Sequence, residues 1–118
     1  MVHCGGILEM KKIAAIAEAY RIEFAPHNPQ SEVSTLASLH VDMTAPNFAI
    51  QEISSARRDS FWEDFFYGQG PVFEDGFALM PDRVGLGVNF NDAIAAQRPY
   101  VPVTRQQLRF PDGGGADH

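Results

Sequence analysis

The chain has 118 residues, of which 45 % are hydrophobic, and its formal net charge is −6. This length and composition suit one folded domain with a modest core and exclude a disordered chain. The acidic balance and the lack of a basic run argue against nucleic acid and anionic membrane surfaces as partners. No apolar run approaches the ~20 residues that span a bilayer. A signal peptide is not evident, and the single cysteine, Cys4, is compatible with a reducing compartment, so we expect a cytoplasmic protein.

Two helices are predicted in the first half of the chain. The first covers residues 8–20, after a turn at Gly5-Gly6. Its apolar stripe consists of Ile7, Met10, Ile13, Ala14, Ala17 and Tyr20. The second runs from about Ser31 to Met43, with Ser31 as the N-cap and Glu32 in the first turn. The side chains predicted to share its buried face are Val33, Leu36, Ala37 and His40.

Each predicted helix is followed by a short run with β propensity. The first run covers residues 21–26 and stops at Pro26, directly before His27, and the second covers residues 47–52 and ends at Glu52. Alternating helices and strands predict parallel strands joined by helical crossovers. In such sheets, functional side chains gather at the carboxyl ends of the strands. We therefore expect His27 and Glu52 to lie at the same rim.

A histidine and a carboxylate that face each other across a cleft can act as two proton-transfer groups. Histidine titrates near neutral pH, and a carboxylate can bond a substrate oxygen or act as an acid when burial raises its pKa. Such a pair suits proton abstraction next to a carboxylate, or loss of water from a hydroxy acid. On residue type alone, a purely structural role for His27 stays open. His40 is expected to pack in a core or an interface.

The second half of the chain is rich in glycine, proline and aromatic residues. Residues 71–81 predict a hairpin with a tight turn at Asp75-Gly76, and Asn91 or Asp92 is expected to cap one further helical turn. The charged pairs Glu63-Asp64 and Glu74-Asp75 are interpreted as solvated. An aromatic cluster, for which core or interface packing is the preferred interpretation, comprises Trp62, Phe65, Phe66 and Tyr67.

Four stretches in order resemble the enolase superfamily, and more narrowly the C-terminal part of its mandelate racemase subgroup. They are CGGILEMKKIAAIAEAY, APHNP, ASLHVDMTAPNFAIQE and EDGFALMPDRVGLGVNFN, and the likeness spans residues 4–92. Acid-sugar dehydratases of the galactonate dehydratase type are the most similar subgroup. Each motif is weak alone, whereas four in register are specific for the superfamily.

The resemblance implies an α/β fold that forms part of a modified (β/α) barrel. The chain would begin at the end of barrel strand six, with residues 21–26 as strand seven and residues 47–52 as strand eight. Residues 1–53 would then be the partial barrel and residues 54–103 a C-terminal extension that packs on a capping domain in full-length relatives. Apart from the resemblance, the glycine-rich composition of FPDGGGADH predicts that residues 104–118 form a flexible tail. Away from the rest of a barrel, we expect the aromatic residues of 61–67 to be exposed.

The resemblance also implies an activity and a role for the rim residues. Family members of this type are lyases that abstract a proton next to a carboxylate and then lose water from a sugar acid. His27 matches the catalytic histidine after strand seven, and Glu52 matches the strand-eight glutamate that faces the substrate carboxylate. Full-length relatives use Mg²⁺, and the implied partners are a sugar-acid substrate and further copies of the complete enzyme. A racemase or cycloisomerase of the same subgroup is the alternative activity.

Several parts of the family's catalytic apparatus have no counterpart in this sequence. The aspartate that pairs with the histidine belongs just before the first residues here, and the acidic Mg²⁺ ligands belong to strands three to five. Ser31-Glu32 stands where relatives carry Gly-Pro, which adds bulk and negative charge at a small turn. We therefore expect no metal ligands in this chain and no dehydratase activity from it alone. A non-catalytic truncated remnant is the second alternative.

Overall fold

A computed structural model describes residues 1–53, 64–67, 70–80, 82–102 and 112. Trp62, Glu63 and almost all of the predicted tail lie outside these residues. No helix in the described part has the length and apolar character needed to cross a membrane. The elements are helices α1 (Ile7–Ala19), α2 (Glu32–Asp42) and α3 (Asp92–Ala96) and strands β1 (Val72–Glu74) and β2 (Phe77–Leu79).

Helix α1 begins after two glycines and ends in a Schellman motif. Gly5 and Gly6 have φ values of 100° and 105°, which residues other than glycine rarely adopt. At the other end, Arg21 takes φ 58°, and the amides of Arg21 and Ile22 donate to the carbonyls of Glu18 and Ala17. The chain therefore leaves the helix sharply and turns back along it. Of the predicted apolar stripe, Met10 and Ala14 are buried, whereas Ile7, Ile13 and Tyr20 are exposed.

Helix α2 lies at the predicted position but is buried on more than its apolar face. Ser31 holds the N-cap position in extended conformation without a side-chain cap bond, and Glu32 starts the helix and is buried. The prediction for Val33 was wrong, because this residue is 39 % exposed, and His40 is only half-buried. Polar side chains occupy much of the buried surface instead. They are Glu32, Ser34, Thr35, Ser38 and Asp42.

The two predicted β runs pair in parallel, although over a shorter length than expected. Phe24 and Phe48 form an isolated parallel bridge, in which the Phe24 amide donates to Asn47 O at 2.8 Å and the Ala49 amide donates to Phe24 O at 2.9 Å. Phe24 then packs against the helices, in a core with Met10, Ala14 and Val41. This core fixes the parallel pair beneath α1 and α2, and it places the ends of both extended runs side by side.

Asn47 links three parts of this arrangement through its side-chain amide. Its Nδ2 donates to Ala14 O at 3.1 Å and to Ile22 O at 2.9 Å, so that α1, its exit and the second extended run are tied together. We expect Asn47→Ala to lower the free energy of unfolding by about 1–3 kcal/mol, because two hydrogen bonds to backbone carbonyls are lost. Urea denaturation followed by circular dichroism measures this change. The control is Asn89→Ala, and an equal effect of both substitutions would contradict the assigned role.

The hairpin of the second half forms as predicted. β1 and β2 pair antiparallel with Glu74 opposite Phe77, and the turn uses positive φ values of 50° at Asp75 and 83° at Gly76. This is the combination that favours Asp-Gly in a two-residue hairpin turn. Glu74 and Asp75 are exposed, as the interpretation of this pair as solvated requires.

The described aromatic residues pack on the segment that leads into α3. Phe65 and Phe66 are buried, and their ring centroids lie 5.8 and 5.9 Å from that of Phe90. The Asn91 amide donates to Phe65 O at 2.8 Å, while Asn91 Oδ1 accepts from the Ile94 amide and caps α3. The expectation that this cluster is exposed was therefore wrong for Phe65 and Phe66. They are covered locally because Phe90 supplies a stacking partner from the same chain.

Candidate active site

The loop after the first extended run turns successive side chains in opposite directions. Pro26 and Asn28 are buried, whereas His27 between them is exposed. Asn28 Nδ2 donates to Thr35 Oγ1 at 2.7 Å, which anchors the loop to the first turns of α2. His27 itself stays exposed, at the end of the parallel pair.

The pairing between the two extended runs slips by one residue at Pro26. Continuation of the Phe24–Phe48 register would have the Gln51 amide donate to Pro26 O, but the Glu52 amide does so instead, at 3.3 Å. Proline has no N–H and therefore cannot make the next bond of the ladder, which makes this the natural point for an extra residue. The slip places Glu52, rather than Gln51, beside His27.

As a result, His27 and Glu52 are in direct contact. His27 Nδ1 meets Glu52 Oε2, and the two side chains are 68 % and 56 % exposed. An ionised carboxylate only accepts hydrogen bonds, so the contact requires a proton on Nδ1. In the neutral imidazole, Nε2 is then the free, basic nitrogen. The structure brings together the two residues predicted to share a rim, but as a contacting pair rather than across a cleft.

Gln51 binds the backbone on both sides of this pair. Its Nε2 donates to Pro26 O at 3.1 Å and to Glu52 O at 2.7 Å. Pro26 O belongs to the peptide group directly before His27, so one side-chain amide holds the backbone next to each member of the pair. No hydrogen-bond donor reaches the buried Oε1 of Gln51 within the described part of the chain.

A second histidine lies near the same loop. His3 Nε2 is 3.0 Å from Gln30 Nε2, which connects the N-terminal turn to the segment that follows His27. One of these nitrogens must accept, so the contact requires an unprotonated His3 Nε2 with the amide donating. Gln30 lies 27 residues from His3 along the chain, so only the fold brings these two side chains together.

Among the described residues, the carboxyl group whose pKa is shifted clearly is that of Asp42, at the end of α2. Asp42 is 6 % exposed, and among the described residues neither carboxylate oxygen has a hydrogen-bond donor. Burial raises the pKa of Asp42 from 3.8 to about 7, and the Met1 ammonium offsets part of this rise. Asp42 also ends its helix, where the helix dipole disfavours negative charge.

The rim pair does not by itself fit a magnesium ion. Mg²⁺ favours octahedral coordination by oxygen and is usually held by one or more carboxylates. Glu52 contacts His27, and its Oε2 is engaged by the imidazole. Among the described residues, no three His, Cys, Asp or Glu side chains lie close enough together to bind a metal. The described part of the chain thus offers an acid–base pair without a metal site.

The chain is similar in sequence to one protein family and to several relatives with named activities. Residues 1–94 match the family described as Enolase C-terminal domain-like. A D-galactonate dehydratase family member of Streptomyces bingchenggensis is 36 % identical over 129 residues, which cover 99 % of this chain and 28 % of the relative. A D-mannonate dehydratase of a Sphingomonas species is 35 % identical over 89 % of this chain and 27 % of its own length. The chain therefore spans only about a quarter of these relatives.

Parts of several solved structures have the same fold as this chain. An enolase from Pantoea ananatis, crystallised with bound D-gluconate and Mg, has a TM-score of 0.78 and 35 % identity over 94 % of this chain and 27 % of its own. A mandelate racemase/muconate lactonizing enzyme from a Jannaschia species has a TM-score of 0.73 and 36 % identity over 85 % of this chain and 25 % of its own. These similarities confirm the resemblance drawn from the four sequence stretches.

Proposed function

Because the chain belongs to the Enolase C-terminal domain-like family, we propose that it is the C-terminal barrel segment of an acid-sugar dehydratase. The direct contact between His27 and Glu52 is the observation that carries the proposal, since it forms an acid–base pair at the end of two parallel runs. The relatives support this substrate class: several are named galactonate or mannonate dehydratases, and one structure holds D-gluconate.

In the proposed reaction, His27 moves a proton and Glu52 controls the imidazole. Glu52 Oε2 accepts from Nδ1–H, which leaves Nε2 to take the proton from the carbon next to the substrate carboxylate. The C–H electron pair forms an enediolate, the hydroxyl of the adjacent carbon leaves as water with a proton from the imidazolium, and the resulting enol becomes a 2-keto-3-deoxy acid. Within this chain Glu52 holds the position of an orienting carboxylate. The resemblance gives that role to an aspartate outside this sequence, so in the complete enzyme Glu52 is proposed to face the substrate carboxylate, where it bonds the enediolate or donates a proton.

The segment is proposed to be inactive alone. An enediolate needs strong positive charge or hydrogen-bond donors for stabilisation, and His27 and Glu52 do not provide it. Large apolar side chains are also exposed, including Leu8, Ile16 and Ile50, as is typical of a surface that contacts further protein. We propose that residues 1–53 complete a barrel with strands outside this chain, and that those strands hold the Mg²⁺.

The wider proposal places residues 54–103 against a capping domain and residues 104–118 in a tail. The complete enzyme is proposed to act in the cytoplasm as a homo-oligomer. A racemase or cycloisomerase of the same subgroup remains the alternative, since a positioned histidine also serves proton exchange without loss of water.

A graft tests the proposal. Residues 1–94 replace the matching segment of the gluconate-bound Pantoea ananatis relative, and the product is assayed with Mg²⁺ and a panel of aldonic and aldaric acids. We expect a 2-keto-3-deoxy acid from at least one substrate. A folded graft that epimerises its substrate favours the alternative, and one that leaves the whole panel unchanged contradicts both.

A further inference from the structure

His27 lies between two anchors that tie its loop to different elements. On one side, the Pro26 carbonyl accepts the Glu52 amide at 3.3 Å, so that the second extended run holds the peptide group before the histidine. On the other side, the buried side chain of Asn28 ties the loop to α2. The His27 side chain is 68 % exposed, so packing alone fixes it weakly. Its place at the rim therefore depends on these two anchors.

The second anchor is a chain of two side-chain hydrogen bonds that ends on the N-cap of α2. Asn28 Nδ2 donates to Thr35 Oγ1 at 2.7 Å, and Thr35 Oγ1 donates to Ser31 O at 3.3 Å. A hydroxyl group has a single hydrogen, and because the Ser31 carbonyl takes it, the Thr35 oxygen must accept from Asn28. The two bonds therefore run in one direction, from the rim loop to the start of the helix.

Burial makes this anchor costly to break. Asn28 is 0 % and Thr35 1 % exposed. Among the described residues, no donor reaches Asn28 Oδ1, so Nδ2 is the atom that holds the side chain in place. Without the Thr35 hydroxyl, a buried N–H would lose its acceptor, which is strongly unfavourable. The Asn28 side chain would then have to move towards water, and the neighbouring His27 would move with it.

We propose that Asn28 and Thr35 are positioning residues that set the place of His27 at the rim. They act through the backbone, since Asn28 is the next residue in the chain and Thr35 belongs to the first turn of α2. The consequence for catalysis rests on the proposed function, whereas the anchoring of the loop does not. A displacement of about 1 Å can cost on the order of 10²-fold in rate, so the anchor contributes to kcat.

The first readout is independent of activity. Nitrogen-15 relaxation of the 118-residue chain gives backbone order parameters for the amides of His27, Asn28 and Gln30. Asn28→Ala removes the donor, Thr35→Val replaces the hydroxyl by a methyl group, and Thr35→Ser keeps the hydroxyl. Thr44→Val is the matched control, because its hydroxyl bonds Val41 O at the other end of α2.

The wild-type loop is expected to be rigid, with order parameters of about 0.85. Asn28→Ala and Thr35→Val should lower them below about 0.6 while α1 and α2 stay rigid. Thr35→Ser and the control should keep the wild-type values. A flexible loop in the wild type, or a rigid one in the folded Asn28→Ala and Thr35→Val variants, would overturn the inference. Unfolding of Thr35→Val would also overturn it, because the anchor would then support the whole fold.

The second readout separates positioning from stability. In the graft, Asn28→Ala and Thr35→Val should lower kcat for the best sugar acid about 10- to 100-fold and leave KM nearly unchanged. Thr35→Ser should restore most of kcat. An unchanged kcat in Asn28→Ala and Thr35→Val would overturn the positioning role. A graft that is inactive on every substrate contradicts the proposed function instead, and the order parameters then decide whether the loop is anchored.

Discussion

His27→Ala is expected to lower sugar-acid dehydration by the grafted enzyme about 10²- to 10⁴-fold, the usual contribution of a positioned acid–base group. The imidazole would supply the nitrogen that takes the substrate proton, and alanine offers no substitute. The measurement is kcat and KM for the best substrate of the panel. The loss should lie mainly in kcat, because the proton is transferred in the transition state rather than on binding.

Two further variants separate this role from a structural one. Glu52→Gln keeps the shape of the side chain but offers a weaker, uncharged acceptor to Nδ1, so its loss should be smaller than that of His27→Ala. His40→Ala changes a histidine on α2 that bonds Leu36 O and should retain activity. Equal activity of His27→Ala and the unmodified graft would show that another group moves the proton.

Asp42→Asn is expected to stabilise the chain, and to do so increasingly as the pH rises. The folded state holds the Asp42 proton more tightly than the unfolded state, because burial raises the pKa of this carboxyl from 3.8 to about 7. Between these values the folded chain binds more protons, so the free energy of unfolding falls as the pH rises. Above about pH 7 the destabilisation is complete, and it amounts to at most ~4 kcal/mol.

Urea denaturation of both proteins at a series of pH values measures this effect. The difference in free energy of unfolding between Asp42→Asn and the wild type should be small near pH 4 and should grow up to about pH 8. Asp82→Asn, at an exposed position, serves as the matched control and should show no such growth. A difference for Asp42→Asn that is constant with pH would contradict the buried state of this carboxyl and its raised pKa.

The elements of the fold could be predicted because their signals are local. Apolar spacing located α1 and α2, the Asp75-Gly76 pair located the hairpin turn, and Asn91 located the cap of α3. Burial followed less well, because it depends on which surfaces meet. Val33 is exposed and Asp42 is buried although helical periodicity alone gave no reason for either.

The proximity of His27 and Glu52 could be predicted, but the geometry of their contact could not. His27 and Glu52 were predicted to lie close together because each follows the carboxyl end of a predicted strand, and parallel strands have these ends at one rim. Their direct contact depends on the slip in pairing at Pro26. Because proline has no N–H, the sequence shows that the hydrogen-bond ladder must break at Pro26. It does not show how residues 47–52 shift in response. The hydrogen bonds of Gln51 could not be predicted from the sequence, because polar residues are common at strand ends. Its two bonds become visible only with the runs side by side.

One paired assay tests the central claim that this chain contributes the His27–Glu52 pair to a larger active site. The 118-residue chain and the grafted enzyme are incubated with Mg²⁺ and the same sugar acids, and the 2-keto-3-deoxy product is measured. We predict product from the graft and none from the chain alone. Product from the chain alone that disappears in His27→Ala would contradict the account, because these residues would then assemble a complete site without further strands.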